Sequence, residues 1–163
     1  MFHVPRSCMT EPLSDKLKKE LHISSSSSNG AVNTSDSSTN APKLLLVEDN
    51  KIALFTLENL VRQAGCVFFS AMDGERALDL SQTQPFDLII TDLGLPGLSG
   101  IDLTIRIRLL EQELQKAPIP IIGLTAHSEE HIKQECLQAG MNEVYTKPMT
   151  SAVLASIKKT YFA

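Results

Sequence analysis

Five short apolar runs, each followed by an amphipathic segment, constrain this chain more than any other feature of it. The runs are Leu44–Val47, Cys66–Ala71, Phe86–Thr91, Ile119–Thr125 and Glu143–Thr146. All are of strand length, and Leu44–Val47 and Ile119–Leu124 are apolar without alternation, as in strands buried on both faces. The segments between them have a helical period. In Lys51–Ala64, residues Ala53, Thr56, Leu57, Leu60, Val61 and Ala64 share a face, and Gly65 stops the helix. Asp73-Gly74 leads into a short helix over Glu75–Gln82, and a longer one runs from Ile101 to about Gln115. Ser128 is placed to cap Glu129–Ala139, Gly140 closes it, and a last helix covers Ser151–Tyr161.

Strands that alternate with helices build a parallel sheet covered on both faces. Right-handed crossovers narrow this to a three-layer, doubly wound α/β fold, most simply in the flavodoxin-like order 2-1-3-4-5. That order makes the first and third strands neighbours, and such folds place ligands at the carboxyl ends of the strands.

The fold requires only the part from Lys43 onward. Ser24–Pro42 is almost wholly Ser, Asn, Thr, Ala and Gly, too poor in apolar surface to offset its ordering entropy. Residues 1–42 are therefore expected to be a disordered tail and Ser-rich linker, with the folded domain over 43–163. The one helical candidate in the tail, Leu13–Leu21, is too short to hold alone. The net charge is −4, and the four basic and four acidic residues before Lys43 cancel, so the excess lies in the domain. No basic run points to nucleic acid. Cys8, Cys66 and Cys136 are odd in number and lack metal-ligand spacing, which reads as reduced thiols. With no stretch of bilayer length and no secretory h-region, the expected location is cytoplasmic.

Polar residues cluster where the strands end. Glu48-Asp49 follows the first run, Asp92 the third, Thr125 closes the fourth and Lys147 follows the fifth. Singly, these have ordinary explanations as turn former, helix-end acid, strand-end hydroxyl and solvated lysine. Together, on successive strand ends, they place three carboxylates, a hydroxyl and one ammonium at one edge. Three carboxylates crowd at a cost unless a cation joins them, and Mg²⁺, which favours hard oxygens and bridges carboxylate to phosphate, suits the set. Such a set suits a phosphoryl group: were Asp92 phosphorylated, the metal would neutralise charge on the transferred group while Lys147 held one of its oxygens.

The residues Leu44-Leu45-Leu46-Val47-Glu48-Asp49-Asn50, Thr91-Asp92-Leu93-Gly94-Leu95-Pro96-Gly97-Leu98-Ser99-Gly100, Leu124-Thr125-Ala126 and Thr146-Lys147-Pro148 resemble the receiver domain of two-component response regulators. The resemblance runs from Lys43 to the C-terminus. It implies that Asp92 accepts phosphate from a phosphohistidine, with Mg²⁺ held by Glu48, Asp49, Asp92 and the Gly94 carbonyl. It implies also that Thr125 and Lys147 grip the phosphoryl oxygens and that the Lys147-Pro148 bond is cis. Within the family the chain is most similar to receivers of hybrid sensor histidine kinases, through Glu48-Asp49-Asn50 and Gly140-Met141-Asn142-Glu143-Val144. The implied partner is a histidine kinase or histidine phosphotransfer domain. No kinase phosphoacceptor box or ATP-binding Gly-rich segment is visible, so the chain is expected to catalyse only its own phosphorylation and dephosphorylation.

Two departures from the family stand out. Many receivers carry an aromatic residue three positions before the lysine; here that position is Val144, and Tyr145 falls on the opposite face of the strand. Hybrid receivers often have Asn where this chain has Ala53, a position expected to be buried against the sheet. His127 falls near the mouth of the site. Ile52 and Phe55 lie off the core-facing stripe, one turn apart, and read either as a docking face for a phosphotransfer helix bundle or as apolar residues that pack against the N-terminal tail or are simply exposed. The competing enzyme reading, an aspartyl-phosphate hydrolase, calls for a second acid two residues after the nucleophile, where Gly94 stands. A phosphate-independent binding module is the other alternative, and the complete polar set argues against it.

Overall fold

The computed structural model describes residues 40–162. The tail helix Leu13–Leu21 and nearly all of the Ser-rich linker lie outside the described residues. The elements are β1 Lys43–Val47, α1 Lys51–Gln63, β2 Val67–Ala71, α2 Gly74–Thr83, β3 Leu88–Asp92, α3 Gly100–Glu113, β4 Ile121–Thr125, α4 Glu130–Ala139, β5 Glu143–Thr146 and α5 Ser151–Phe162. All four strand pairings are parallel, in the order β2-β1-β3-β4-β5. This is the doubly wound order expected from the sequence.

Period-two alternation divides the core into two layers. Leu44, Leu46, Leu88, Ile90, Ile122 and Leu124 face α1 and α5, where Leu54, Leu57, Val61, Leu154 and Ile157 meet them. Leu45, Val47, Ile89 and Ile121 face the other way, toward Ala77 and Leu80 of α2, Leu103 and Ile107 of α3, and Cys136 of α4. Each fully buried Leu or Ile stabilises the fold by about 1.5–3 kcal/mol of transfer free energy.

Several boundaries move by a residue or two for physical reasons. β4 begins at Ile121 rather than Ile119 because Pro120 has no N–H for the ladder, and the Ile119 N–H donates instead to Glu111 Oε2 at 2.8 Å. Cys66 is buried but precedes β2. On α1 the buried stripe runs through Leu54, Leu57 and Val61, while Thr56 is exposed with its hydroxyl donating to the Ile52 carbonyl. The N-cap of α4 is Glu129, not Ser128, and it makes no side-chain cap bond. That turn is exposed, so water can serve its free N–H groups.

Gly65 and Gly140 end α1 and α4 with positive φ, as the sequence leads one to expect. The end of α3 uses the same 6→1 and 5→2 bonds, Lys116 N–H to Glu111 O at 2.9 Å and Gln115 N–H to Gln112 O at 3.2 Å. The left-handed residue there is Gln115, at φ 55°. A Cβ in that region is costly, so Gln115→Gly is expected to raise stability by about 1 kcal/mol. A urea midpoint that stays put or falls would contradict this.

β5 and α5 are tied through one carboxylate. Glu143 accepts hydrogen bonds from the Tyr145 hydroxyl and, at 2.7 Å, from the Tyr161 hydroxyl. The Glu143 bond, then burial, pushes the Tyr145 phenol up to about 12, and burial, then the Glu143 bond, pushes Tyr161 up to about 12. Unfolded phenols ionise near ~10. The stability contributed by the raised phenols is therefore fully present below pH ~10 and is lost as pH rises through about 12. The chain has two tyrosines and no tryptophan, so tyrosinate absorbance reads them cleanly. Both midpoints are expected well above the ordinary value, and a phenol titrating near ~10 in the folded protein would contradict the clamp.

Candidate functional site

The strand register determines which polar groups meet. β1 and β3 are paired through Val47 and Thr91, so Glu48 and Asp92 leave the sheet side by side. β4 pairs with β5 through Thr125 and Thr146, which brings Lys147 to the same edge. Carboxylate oxygens of Glu48, Asp49 and Asp92 all lie within 4.8 Å of one another. Glu48 and Asp92 are buried and Asp49 is exposed. The Lys147 ammonium bridges two of the three, at 2.7 Å from Glu48 Oε2 and 3.1 Å from Asp92 Oδ1.

Backbone geometry holds the acids in place. Glu48 N–H donates to the Ala71 carbonyl at 3.0 Å, and the Asn50 N–H donates to Glu48 Oε1 at 3.2 Å. Asn50 also caps α1, its side chain accepting from Ala53 N–H at 2.9 Å. This positioning role of Asn50 was readable as an Asn at a strand-to-helix junction. The Lys147 N–H donates to the Thr125 carbonyl at 2.7 Å, and the Lys147-Pro148 bond is cis. Thr125 Oγ1 accepts from the His127 N–H at 3.0 Å, leaving its own proton free for a ligand oxygen.

The charges do not balance as they stand. Burial pushes the Glu48 carboxyl above its usual range, against the lowering pull of Lys147 and of the Asn50 N–H, and the Asp92 charge adds to the rise. Burial depresses Lys147, but its hydrogen bonds to Glu48 and Asp92 outweigh this, and its net shift is upward. One ammonium facing three carboxylates leaves room for a further cation, and an all-oxygen donor set fits Mg²⁺.

Asp92, Gly94, Thr125, His127 and Lys147 line one open cleft of about 430 Å³. A cleft of equal size lies near the N-terminal ends of the strands, among Phe86, Ile107, Leu110, Leu114 and Ile119. Its carboxylate, Glu111, is already engaged by Arg108 and the Ile119 N–H, so size does not identify the site. Ala53 is half-buried rather than buried, and lines a small notch beside Glu48 and Lys147. Ile52 and Phe55 are 79% and 62% exposed. Val144 and Tyr145 pack on opposite faces of the sheet.

Sequence periodicity did not reveal Gly100, the first residue of α3. A Cβ at this position would come within 2.3 Å of the Asp92 carbonyl and 3.0 Å of Leu93 Cα. The backbone of α3 thus presses directly on the segment that carries Asp92. The signal was present in Ser99-Gly100, a cap residue beside a glycine, with Ser99 Oγ accepting from Asp102 N–H at 3.1 Å.

Comparison with known proteins agrees with this geometry. The profile of the response regulator receiver domain matches residues 44–158. The sensor histidine kinase GacS of Pseudomonas protegens is 38% identical over 120 residues, 74% of this chain but only 13% of that kinase. Among solved structures, the receiver domain of a Pseudomonas aeruginosa sensor histidine kinase, with magnesium in its active-site cleft, is 35% identical with TM-score 0.66. The match covers 74% of this chain and 97% of that one. A co-crystal structure of the Saccharomyces cerevisiae phosphotransfer protein Ypd1 and the Ssk1 receiver domain matches at 30% identity and TM-score 0.67, over 74% and 86% of the two chains.

Proposed function

This chain belongs to the response regulator receiver domain family of two-component systems, and we propose that residues 43–163 accept a phosphoryl group from phosphohistidine onto Asp92. The observation that carries this reading is the convergence of Glu48, Asp49, Asp92 and Lys147 at one sheet edge, beside the Thr125 hydroxyl. Asp92 Oδ1 is held by Lys147, and Oδ2 attacks phosphorus. The bond from phosphorus to the donor imidazole nitrogen breaks, its electron pair stays on the ring, and solvent returns the proton. Lys147 and Thr125 then hold phosphoryl oxygens, and attack of water on phosphorus later releases the carboxylate. Glu48, Asp49, Asp92 and the Gly94 carbonyl are the groups that would hold Mg²⁺, whose charge would offset the negative charge gathering in transfer.

The receiver acts on itself alone, as a relay to or from a histidine kinase or phosphotransfer protein. The yeast co-crystal structure supports a partner of that kind. No helix among the described residues is long and apolar enough to cross a membrane. Cys66 and Cys136 are free and buried, in keeping with a reducing cytoplasm. The exposed Ile52 and Phe55 form the docking face for the partner's helices. The double variant Ile52→Asp, Phe55→Asp is expected to slow transfer from a phosphorylated phosphotransfer protein by about tenfold or more. Uptake from acetyl phosphate should be unchanged. Equal transfer by variant and wild type would remove these residues from the interface.

A further inference from the structure

We infer that Gly74, at the start of α2, is a positioning residue that sets the height of the loop carrying Gly94, and through it the affinity of the site for Mg²⁺. The inference rests on the metal reading above. The loop runs from Leu93 to Ser99 and is closed by the Gly100 N–H donating to the Leu93 carbonyl at 3.0 Å. Its apolar residues Leu95 and Leu98 are buried, so it is seated on the core and not free in solvent. Two backbone contacts without clearance hold it. One is Gly100 against the Asp92 carbonyl, described above.

The other contact comes from a different element. A Cβ at Gly74 would lie 2.3 Å from the Leu98 carbonyl oxygen and 2.8 Å from Leu98 Cβ. Gly74 is buried, and Asp73 before it fixes the turn by accepting from Arg76 N–H at 2.7 Å. The helix start therefore cannot yield easily, and neither obstructing atom belongs to a flexible side-chain end. Above the contact the Glu75 carboxylate lies 3.3 Å from where a Gly97 Cβ would be, so α2 also overlies the middle of the loop. A methyl group at Gly74 must lift Leu98, and the loop closes on Gly94 only three residues away from Gly97. The carbonyl of Gly94 would move while the carboxylates on β1 and β3 stay with the sheet.

The test is a calorimetric Mg²⁺ titration of wild type, Gly74→Ala and Ala77→Gly, with urea unfolding of each. Ala77 shares the buried layer of Leu95 and Leu98, and Ala77→Gly weakens the same helix by about 1 kcal/mol while adding no atom against the loop. Gly74→Ala is expected to bind Mg²⁺ about tenfold more weakly, as when an outer support of a metal ligand is lost, and Ala77→Gly to bind as wild type does. Phosphorylation of Gly74→Ala by acetyl phosphate should be slow at low Mg²⁺ and recover at saturation. Equal Mg²⁺ affinity for Gly74→Ala and wild type would overturn the inference, as would equal weakening in Ala77→Gly. Failure of wild type itself to bind Mg²⁺ would instead overturn the metal reading. If Gly74→Ala does not fold alone, it is measured in the stabilised Gln115→Gly background; failure to fold there would make Gly74 a residue of the fold only and overturn the inference.

Discussion

Lys147→Met is expected to slow phosphoryl uptake at Asp92 about 10²-fold while leaving the domain folded and able to bind Mg²⁺. The methionine keeps the apolar stem but removes the ammonium that touches both Glu48 and Asp92. A preorganised donor aimed at developing charge is worth about 10²–10³ in rate when deleted. The variant leaves Glu48, only 3% exposed, without its partner. Its carboxyl, already raised by burial, then takes up a proton more readily, and saturating Mg²⁺ should restore stability more than it restores rate. Uptake followed by intact mass over time checks this. A rate unchanged within about twofold would mean that Lys147 is only a structural counter-charge.

Gly100→Ala should cost about 3 kcal/mol of folding stability, read as a lower urea midpoint at unchanged slope. The obstruction is backbone on both sides: the added methyl would stand 2.3 Å from the Asp92 carbonyl and 3.1 Å from its carbon. Neither α3, held by Ser99 and by Leu103 and Ile107 in the core, nor β3, hydrogen-bonded to strands on both sides, can move alone. Because Asp92 itself is displaced, phosphoryl uptake should fall even in conditions where the variant is fully folded. A midpoint within about 0.5 kcal/mol of wild type would mean that this contact has slack.

Much of this was legible in the sequence because it depends on period and order. Uninterrupted apolar strands with amphipathic segments between them dictated the layers, and strand order alone was enough to bring Glu48, Asp49 and Asp92 to one edge. What period and order do not carry is tertiary contact. Periodicity puts Thr56 on the α1 stripe and leaves Leu54 off it, since residues at the border of a helical face are sorted by what packs on them. The stop of α3 carries no glycine, so only its backbone bonds reveal Gln115 as the left-handed residue. Gly74 and Gly100 looked like turn residues, whereas their role is clearance between backbones distant in sequence. Arg108 was likewise invisible: its guanidinium joins the Gly140 carbonyl, Glu111 and Asn142 Oδ1, which also accepts the Ile121 N–H. That network gives a physical reason for Asn142 after Gly140-Met141, where the sequence alone offers only a likeness to hybrid-kinase receivers.

The central claim is that Asp92 is a Mg²⁺-dependent phosphoryl acceptor, and intact-mass measurement after incubation with Mg²⁺ and acetyl phosphate tests it most directly. The predicted result is a single phosphoryl adduct on wild type, absent from Asp92→Asn and absent when Mg²⁺ is chelated. An adduct that persists on Asp92→Asn would contradict the assignment of the acceptor. No adduct on wild type, from acetyl phosphate or from a phosphorylated phosphotransfer protein, would contradict the function itself.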